Sequence, residues 1–258
     1  MILSVPAAGA GVSKALVEAA ERLSAELAGL EFDPPVTHVY DPLSYAWAAH
    51  RQYIERFAPS RCRVVFLGMN PGPFGMMQTG VPFGEVGAVR DWMGIDAVID
   101  PPASQHPRRL IEGFGCSRSE VSGRRLWGWA ARRFGAAPQF FAHSFVLNYC
   151  PLVFLEASGR NFTPDRLPRG KAAALQAACD RHLLAAVRAL EPDWVLGVGA
   201  YARACAERAL APVLSERGGA LRVAQILHPS PASPAANRGW EDAVEAELAR
   251  LGVFGPLP

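Results

Sequence analysis

Along this chain, amphipathic stretches with helical spacing alternate with short, almost unbroken apolar runs. Residues 12–29 place Val12, Leu16, Ala19, Ala20, Leu23 and Leu27 on one face, which predicts a helix. A proline-punctuated extended piece follows over 32–42, then a second helix over 45–57 carrying Trp47, His50, Tyr53 and Phe57. Apolar runs at 63–67, 140–147, 194–198 and 221–227 read as buried strands. Further helices are predicted over 86–93, 123–134, 168–190, 199–210 and 236–251, while Pro101, Pro102 and Pro107 leave 97–118 irregular. Strands separated by helices predict an α/β fold. Its expected form is a three-layer α/β/α sandwich around a central, mainly parallel four-stranded sheet. No repeat, low-complexity tract or linker divides the chain, so a single domain over 1–258 is expected, with the first helix packed on it.

Each predicted strand ends in a polar or glycine-rich loop, and these loops carry the candidate chemistry. After the first run comes Gly68 to Gly84, with five glycines and three prolines in seventeen residues. That composition reads as an ordinary turn-rich loop or as a stiff wall that lets the backbone approach a ligand. It contains Asn70, Gln78 and Phe83, and no chemistry is assigned to Gln78 at this level. Asn148 ends the second run, where it either satisfies its own turn or faces a ligand. His228 ends the fourth. The ends of parallel strands share one edge, so Asn70, Phe83, Asn148 and His228 can meet in one crevice. The loop 158–164, with Ser158, Gly159, Arg160 and Asn161, suits phosphate contact.

Composition narrows the classes. Half the residues are hydrophobic and 19% are charged, as in a globular chain. No apolar run reaches bilayer length and no secretory signal is visible, so a soluble protein that stays inside its cell is expected. The five cysteines, 62, 116, 150, 179 and 205, form no CxxC pair, which argues against a disulfide framework and a cysteine-held zinc or iron–sulfur cluster. The six histidines are dispersed; no metal and no cofactor are implied, and His38 and His50 read as packing or capping residues. A net charge of +2 leaves any nucleic-acid binding to locally placed arginines. Arg124, Arg125, Arg132 and Arg133 on the 123–134 helix suit either DNA phosphate or a solvated face over buried tryptophan.

The motifs GMNPGPFGMMQTGVPFGEV at 68–86, NYCPL at 148–152, SGRNFTP at 158–164 and HPSP at 228–231 with ANRGW at 236–240 resemble the single-strand-selective monofunctional uracil-DNA glycosylases. That group is one branch of the uracil-DNA glycosylase superfamily. Tyr40-Asp41-Pro42, Tyr45-Ala46-Trp47 and His50-Arg51 are similar to it as well, so the resemblance spans roughly 37–250. It implies base-excision repair: uracil, or a related lesion such as 5-hydroxymethyluracil, is flipped out and its N-glycosidic bond hydrolysed to leave an abasic site. The alternatives are a main preference for the deaminated purines xanthine and hypoxanthine, or a non-catalytic nucleic-acid-binding module.

By resemblance, His228 lies beside uracil O2, Asn70 holds the attacking water, Phe83 stacks on the ring and Asn148 pairs with N3–H and O4. Met69, Gly72, Phe74 and Met76 would line the pocket. Ser230, Ala232, Ser233 and Arg238 would meet DNA beside it. None of these motifs contains lysine, so no Schiff-base strand cleavage is expected. Where an arginine wedge is expected after HPSP, this chain has Ala232 and Ser233. The expected partner is therefore single-stranded or mismatched uracil-containing DNA, with no membrane contact. A monomer is expected, located in the cytoplasm (at the nucleoid in a bacterium, in the nucleus of a eukaryote).

Overall fold

In the computed structural model, residues 10–255 are described, so the domain limits expected at 1 and 258 lie outside the described residues. The helices in chain order are α1 Ala10–Leu27, α2 Pro42–Tyr45, α3 Trp47–Phe57, α4 Met76–Thr79 and α5 Val121–Phe134. They continue with α6 Ala137–Phe141, α7 Arg169–Leu190, α8 Ala200–Ala209, α9 Ala211–Glu216 and α10 Pro234–Leu251. The strands are β1 Val36–Tyr40, β2 Val64–Gly68, β3 Ser144–Asn148, β4 Val153–Glu156, β5 Asn161–Phe162, β6 Trp194–Val198 and β7 Arg222–Ile226.

The expected parallel sheet forms in the order β3-β2-β6-β7, with every neighbouring pair parallel. Each residue of β2, β3 and β6 is buried, as their unbroken apolar runs require of strands covered on both faces. The chain places β3 on one side of β2 and β6 on the other. The strand order therefore reverses at β2, and an open sheet gapes at such a point beyond its carboxyl ends. Gly68 to Gly84 leaves the sheet there.

Three local expectations are corrected. The run at 140–147 begins as a helix: Pro138 at the start of α6 pre-sets a helical φ, and the strand starts only at Ser144. The 45–57 helix is interrupted at Ala46, whose φ −111 and ψ 24 end α2 before α3 begins. The extended piece at 32–42 and the loop at 158–164 supply β1 and β5, which flank β4 in a small antiparallel sheet, β1-β4-β5. That sheet is hard to read from sequence because β5 has two residues and β1 is buried only at its ends. Among the described residues, no helix is long and apolar enough to cross a membrane.

Candidate active site

A cleft of about 290 Å³ opens at the carboxyl ends of β2 and β3 and beside the loop after β7. It is lined by Met69, Asn70, Gly72, Met76, Phe83, Asn148 and His228, and by Asn161 and Ser230 from the expected DNA-binding set. Residues as far apart in sequence as Met69 and Ser230 thus share one wall system, because parallel strands deliver their loops to one edge.

His228 follows β7, and its Nδ1 accepts the Ser230 main-chain N–H at 3.0 Å. With Nδ1 used as an acceptor, the ring's own proton sits on Nε2, which leaves a neutral N–H donor. Burial pushes the His228 pKa below its ordinary 6.5, which keeps the ring in that neutral form. The loop behind it is pinned. Arg125 on α5 donates to the Pro229 and Ser230 carbonyls at 2.9 and 3.3 Å and to Asn237 Oδ1 at 2.8 Å. Asn237 in turn donates to the Pro231 carbonyl, and Trp240 Nε1 to the Leu227 carbonyl.

Asn70 donates from Nδ2 to the Leu152 carbonyl at 3.3 Å, so its amide oxygen remains as the acceptor available to the cleft. Asn148, at the end of β3, is buried, with Nδ2 3.2 Å from Met76 Sδ. Phe83 is held in the left-handed region at φ 53, a costly conformation for a bulky residue. Its carbonyl accepts from Trp127 Nε1 at 3.0 Å and from the Glu85 N–H at 2.7 Å. Gly123 lets α5 come this close: a Cβ there would lie 2.1 Å from the Phe83 oxygen. Gly68 has a similar reason, since its Cβ would meet Asn148 Oδ1 at 2.3 Å and the Phe83 ring at 2.6 Å.

Gln78 gains a role. It is 1% exposed, donates to the Pro73 and Leu110 carbonyls at 3.0 and 3.1 Å, and accepts from the Glu112 and Gly113 N–H groups at 2.8 and 3.1 Å. Its whole amide is used to staple the glycine-rich loop to residues 110–113. His50 donates from Nδ1 to the Gly80 carbonyl at 2.8 Å, and Tyr45 from its hydroxyl to the Met77 carbonyl at 2.6 Å, so α2 and α3 brace the same loop.

Glu120, Ser122 and Thr163 also line the cleft, although the sequence reading singled out none of them. Glu120 caps α5, its carboxylate accepting from the Ser122 N–H at 3.4 Å and from the Phe74 main chain. Burial raises its pKa. Its Oε2 would be 2.2 Å from a Cβ at Gly72. An acidic residue just before an amphipathic run is an N-terminal signal, but the helix was expected to start at Gly123, past the cap.

The remaining expected contacts lie outside the cleft lining. Phe74 has its ring against Arg118 and Arg109, with guanidinium carbons 4.0 and 5.5 Å from the ring centre. Ser158, Arg160, Ala232 and Arg238 are exposed, Gly159 is buried against His106, and Ser233 caps α10 by accepting from the Ala236 N–H. Arg132 and Arg133 are paired with Glu241 and Glu245 of α10, so these two arginines tie helices together. Among the described residues, no group of three or more His, Cys, Asp or Glu side chains could hold a metal ion.

Comparison with known proteins follows the same lines. The profile of the Uracil DNA glycosylase superfamily matches residues 55–249. The chain is similar to the single-strand selective monofunctional uracil-DNA glycosylase of Rattus norvegicus, 47% identical over 94% of this chain and 86% of the rat protein. The proteins of the same name from Mus musculus and Bos taurus are 46% and 47% identical, over 94% and 90% of this chain and 86% and 84% of their own. Among solved structures, wild-type Pedobacter heparinus SMUG2 superposes with a TM-score of 0.65 over 93% of this chain and 97% of that one, at 16% identity. That likeness concerns the fold.

Proposed function

The chain belongs to the uracil-DNA glycosylase superfamily, and we infer from that membership that it is a monofunctional uracil-DNA glycosylase. It hydrolyses the bond between uracil and deoxyribose, leaving an abasic site in an uncut strand. The observation that carries the reading is the meeting of Asn70, Phe83, Asn148 and His228 in one cleft, in a chain 47% identical to a protein of that name. The relatives' names give no support to a main preference for xanthine or hypoxanthine.

The reaction sets the demands. The base must leave the stack, at a cost of a few kcal/mol. The sugar then gains oxocarbenium character while uracil departs as an anion. His228, neutral with its proton on Nε2, donates to the charge developing on uracil O2, a contribution of about 10²–10³ in rate for one preorganised donor. Asn148 offers both a donor and an acceptor, which complement uracil O4 and N3–H; cytosine presents the reverse pattern. Phe83 provides the stacking face. Asn70 presents an amide oxygen that orients water without deprotonating it, which suits a reaction in which the glycosidic bond breaks first. The missing side chains at Gly72 and Gly75 make room for the Glu120 side chain, which closes that wall of the cleft.

Single-stranded or mismatched DNA is the favoured substrate form, because the exposed Ala232 and the capping Ser233 give the loop after His228 nothing bulky to drive into a duplex. The enzyme acts as a monomer; among the described residues only Val39, Val98 and Leu110 are large exposed apolar side chains, too few for a broad self-association patch. The test is a panel of oligonucleotides carrying uracil, 5-hydroxymethyluracil, xanthine or hypoxanthine, single-stranded and paired, with alkali cleavage reporting abasic sites. Uracil and 5-hydroxymethyluracil should be released, faster from single strands. Equal rates on single strands and U·A duplex would refute the strand preference, and release of purines alone would refute the assignment.

A further inference from the structure

An isolated exposed leucine is ordinary on a protein surface. Leu110, 53% exposed, differs in what holds its backbone. Residues 97–118 contain only a single 3-10 turn, Gly113–Gly115, yet the segment around Leu110 is tied down on both sides. Gln78 takes the Leu110 carbonyl and the N–H groups of Glu112 and Gly113, and Gln105 Oε1 accepts from the Ile111 N–H at 2.8 Å. The Tyr40 hydroxyl, 1% exposed as a residue, donates to the Arg109 carbonyl at 3.0 Å and accepts from the His106 N–H at 2.6 Å. Buried side chains thus fix a loop whose tip is apolar and turned to solvent. A long irregular segment held this firmly is a common mark of a binding loop.

Its position is equally specific. One side of the loop is joined through Gln78 to Pro73, which lines the cleft, and through Arg109 to the Phe74 ring. The other side packs on the loop 157–160: His106 Nε2 lies 3.1 Å from the Ala157 carbonyl, and Arg108 reaches the Ser158 carbonyl at 3.5 Å. Exposed Arg108 lies on this loop, Arg160 on the loop it packs against, and Arg118 shares the Phe74 ring with Arg109; among the described residues none of the three exposed arginines makes an ion pair. An apolar tip linked through Gln78 to the cleft wall, with unpaired cations on its own and neighbouring segments, matches a duplex, which offers a stacked apolar interior between two rows of phosphate.

Resting on the uracil-DNA reading above, we propose that Leu110 is the side chain that wedges open paired DNA, with Arg108, Arg118 and Arg160 holding phosphates on that rim. The wedge thus comes from the segment that Gln78 staples to the glycine-rich loop, and not from Ala232 or Ser233. Inserting one bulky apolar side chain at a base step offsets part of the cost of unstacking that step.

The test uses single-turnover excision from one uracil sequence as a single strand, a U·A duplex and a U·G duplex, with 2-aminopurine beside the uracil to report unstacking. Leu110→Ala should lower the duplex-to-single-strand rate ratio about tenfold and remove the fluorescence rise, and Leu110→Phe should restore both. Because the ratio is internal to each variant, a general loss of active protein does not alter it. An unchanged ratio in Leu110→Ala, failure of Leu110→Phe to restore it, or a wild-type enzyme active on single strands alone would overturn the wedge and leave uracil excision standing. No uracil release from any strand would overturn both.

Discussion

His228 is a donor at Nε2 because Ser230 already occupies Nδ1. Protonating the ring would break that bond and place a charge in a site whose burial disfavours it. The pocket therefore loses its donor geometry as pH falls, and the direction of the shift gives the window. The excision rate on single-stranded DNA should hold through neutrality and fall on the acid side with an apparent pKa below 6.5, as a pH series of single-turnover rates would show. An acid limb centred above 6.5 would remove His228 from this role. Phe83 shows a second residue-scale device. It occupies a left-handed backbone position only because Trp127, Glu85 and the close approach of Gly123 all hold its carbonyl. A ring so constrained would be aligned for its proposed stacking role before any base arrives.

The glycine-rich loop illustrates how much of an element can be read in advance. Its departure from β2, its stiffness and the meeting of Asn70 with Asn148 and His228 all follow from the sequence, because apolar runs mark parallel strands and parallel strands aim their ends together. Its supports do not follow. Gln78 bonds to residues 32 to 35 positions away, Arg125 to residues more than 100 away, and Glu120 acts from a helix cap that lies before the expected helix start. Such partners depend on how irregular segments pack, which periodicity does not encode. The staple has a measurable consequence. Gln78→Ala leaves two carbonyls and two N–H groups without their partner; the Gly113 N–H is buried and the other three partly so, and a buried unsatisfied group costs about 1–3 kcal/mol. Thermal unfolding should show a loss of at least about 2 kcal/mol, with the duplex rate falling more than the single-strand rate. A variant with wild-type stability would show that the amide is dispensable.

Across the molecule, the central sheet was legible because β2, β3 and β6 are buried throughout, whereas β1-β4-β5 was hidden by strands too short or too mixed to show alternation. The buried ring of His50 links the whole fold to pH. Burial lowers its pKa to about 4 from 6.5 while its Nδ1–H serves the Gly80 carbonyl. The unfolded chain binds the proton more readily, so stability rises with pH across that interval. The contribution is intact above 6.5, is lost as pH falls and levels off near 4, amounting to roughly 3 kcal/mol. Denaturant titrations between those limits should show the loss, and His50→Gln, which keeps a donor near Gly80, should reduce it to the part carried by His182, whose pKa burial also lowers to about 4. An equally steep acid loss in His50→Gln would place the titrating group elsewhere.

In the proposed reaction one cleft performs hydrolytic uracil excision, with Asn70 orienting the water. That reaction is tested most directly by comparing wild type and Asn70→Ala on a single-stranded uracil oligonucleotide, reading free uracil, alkali-dependent breaks and affinity for the abasic product. The wild-type enzyme should release uracil and leave strands that break only with alkali. Asn70→Ala should bind the abasic product with near wild-type affinity and release almost no uracil. Turnover preserved in Asn70→Ala, or strand breaks without alkali, would contradict the account.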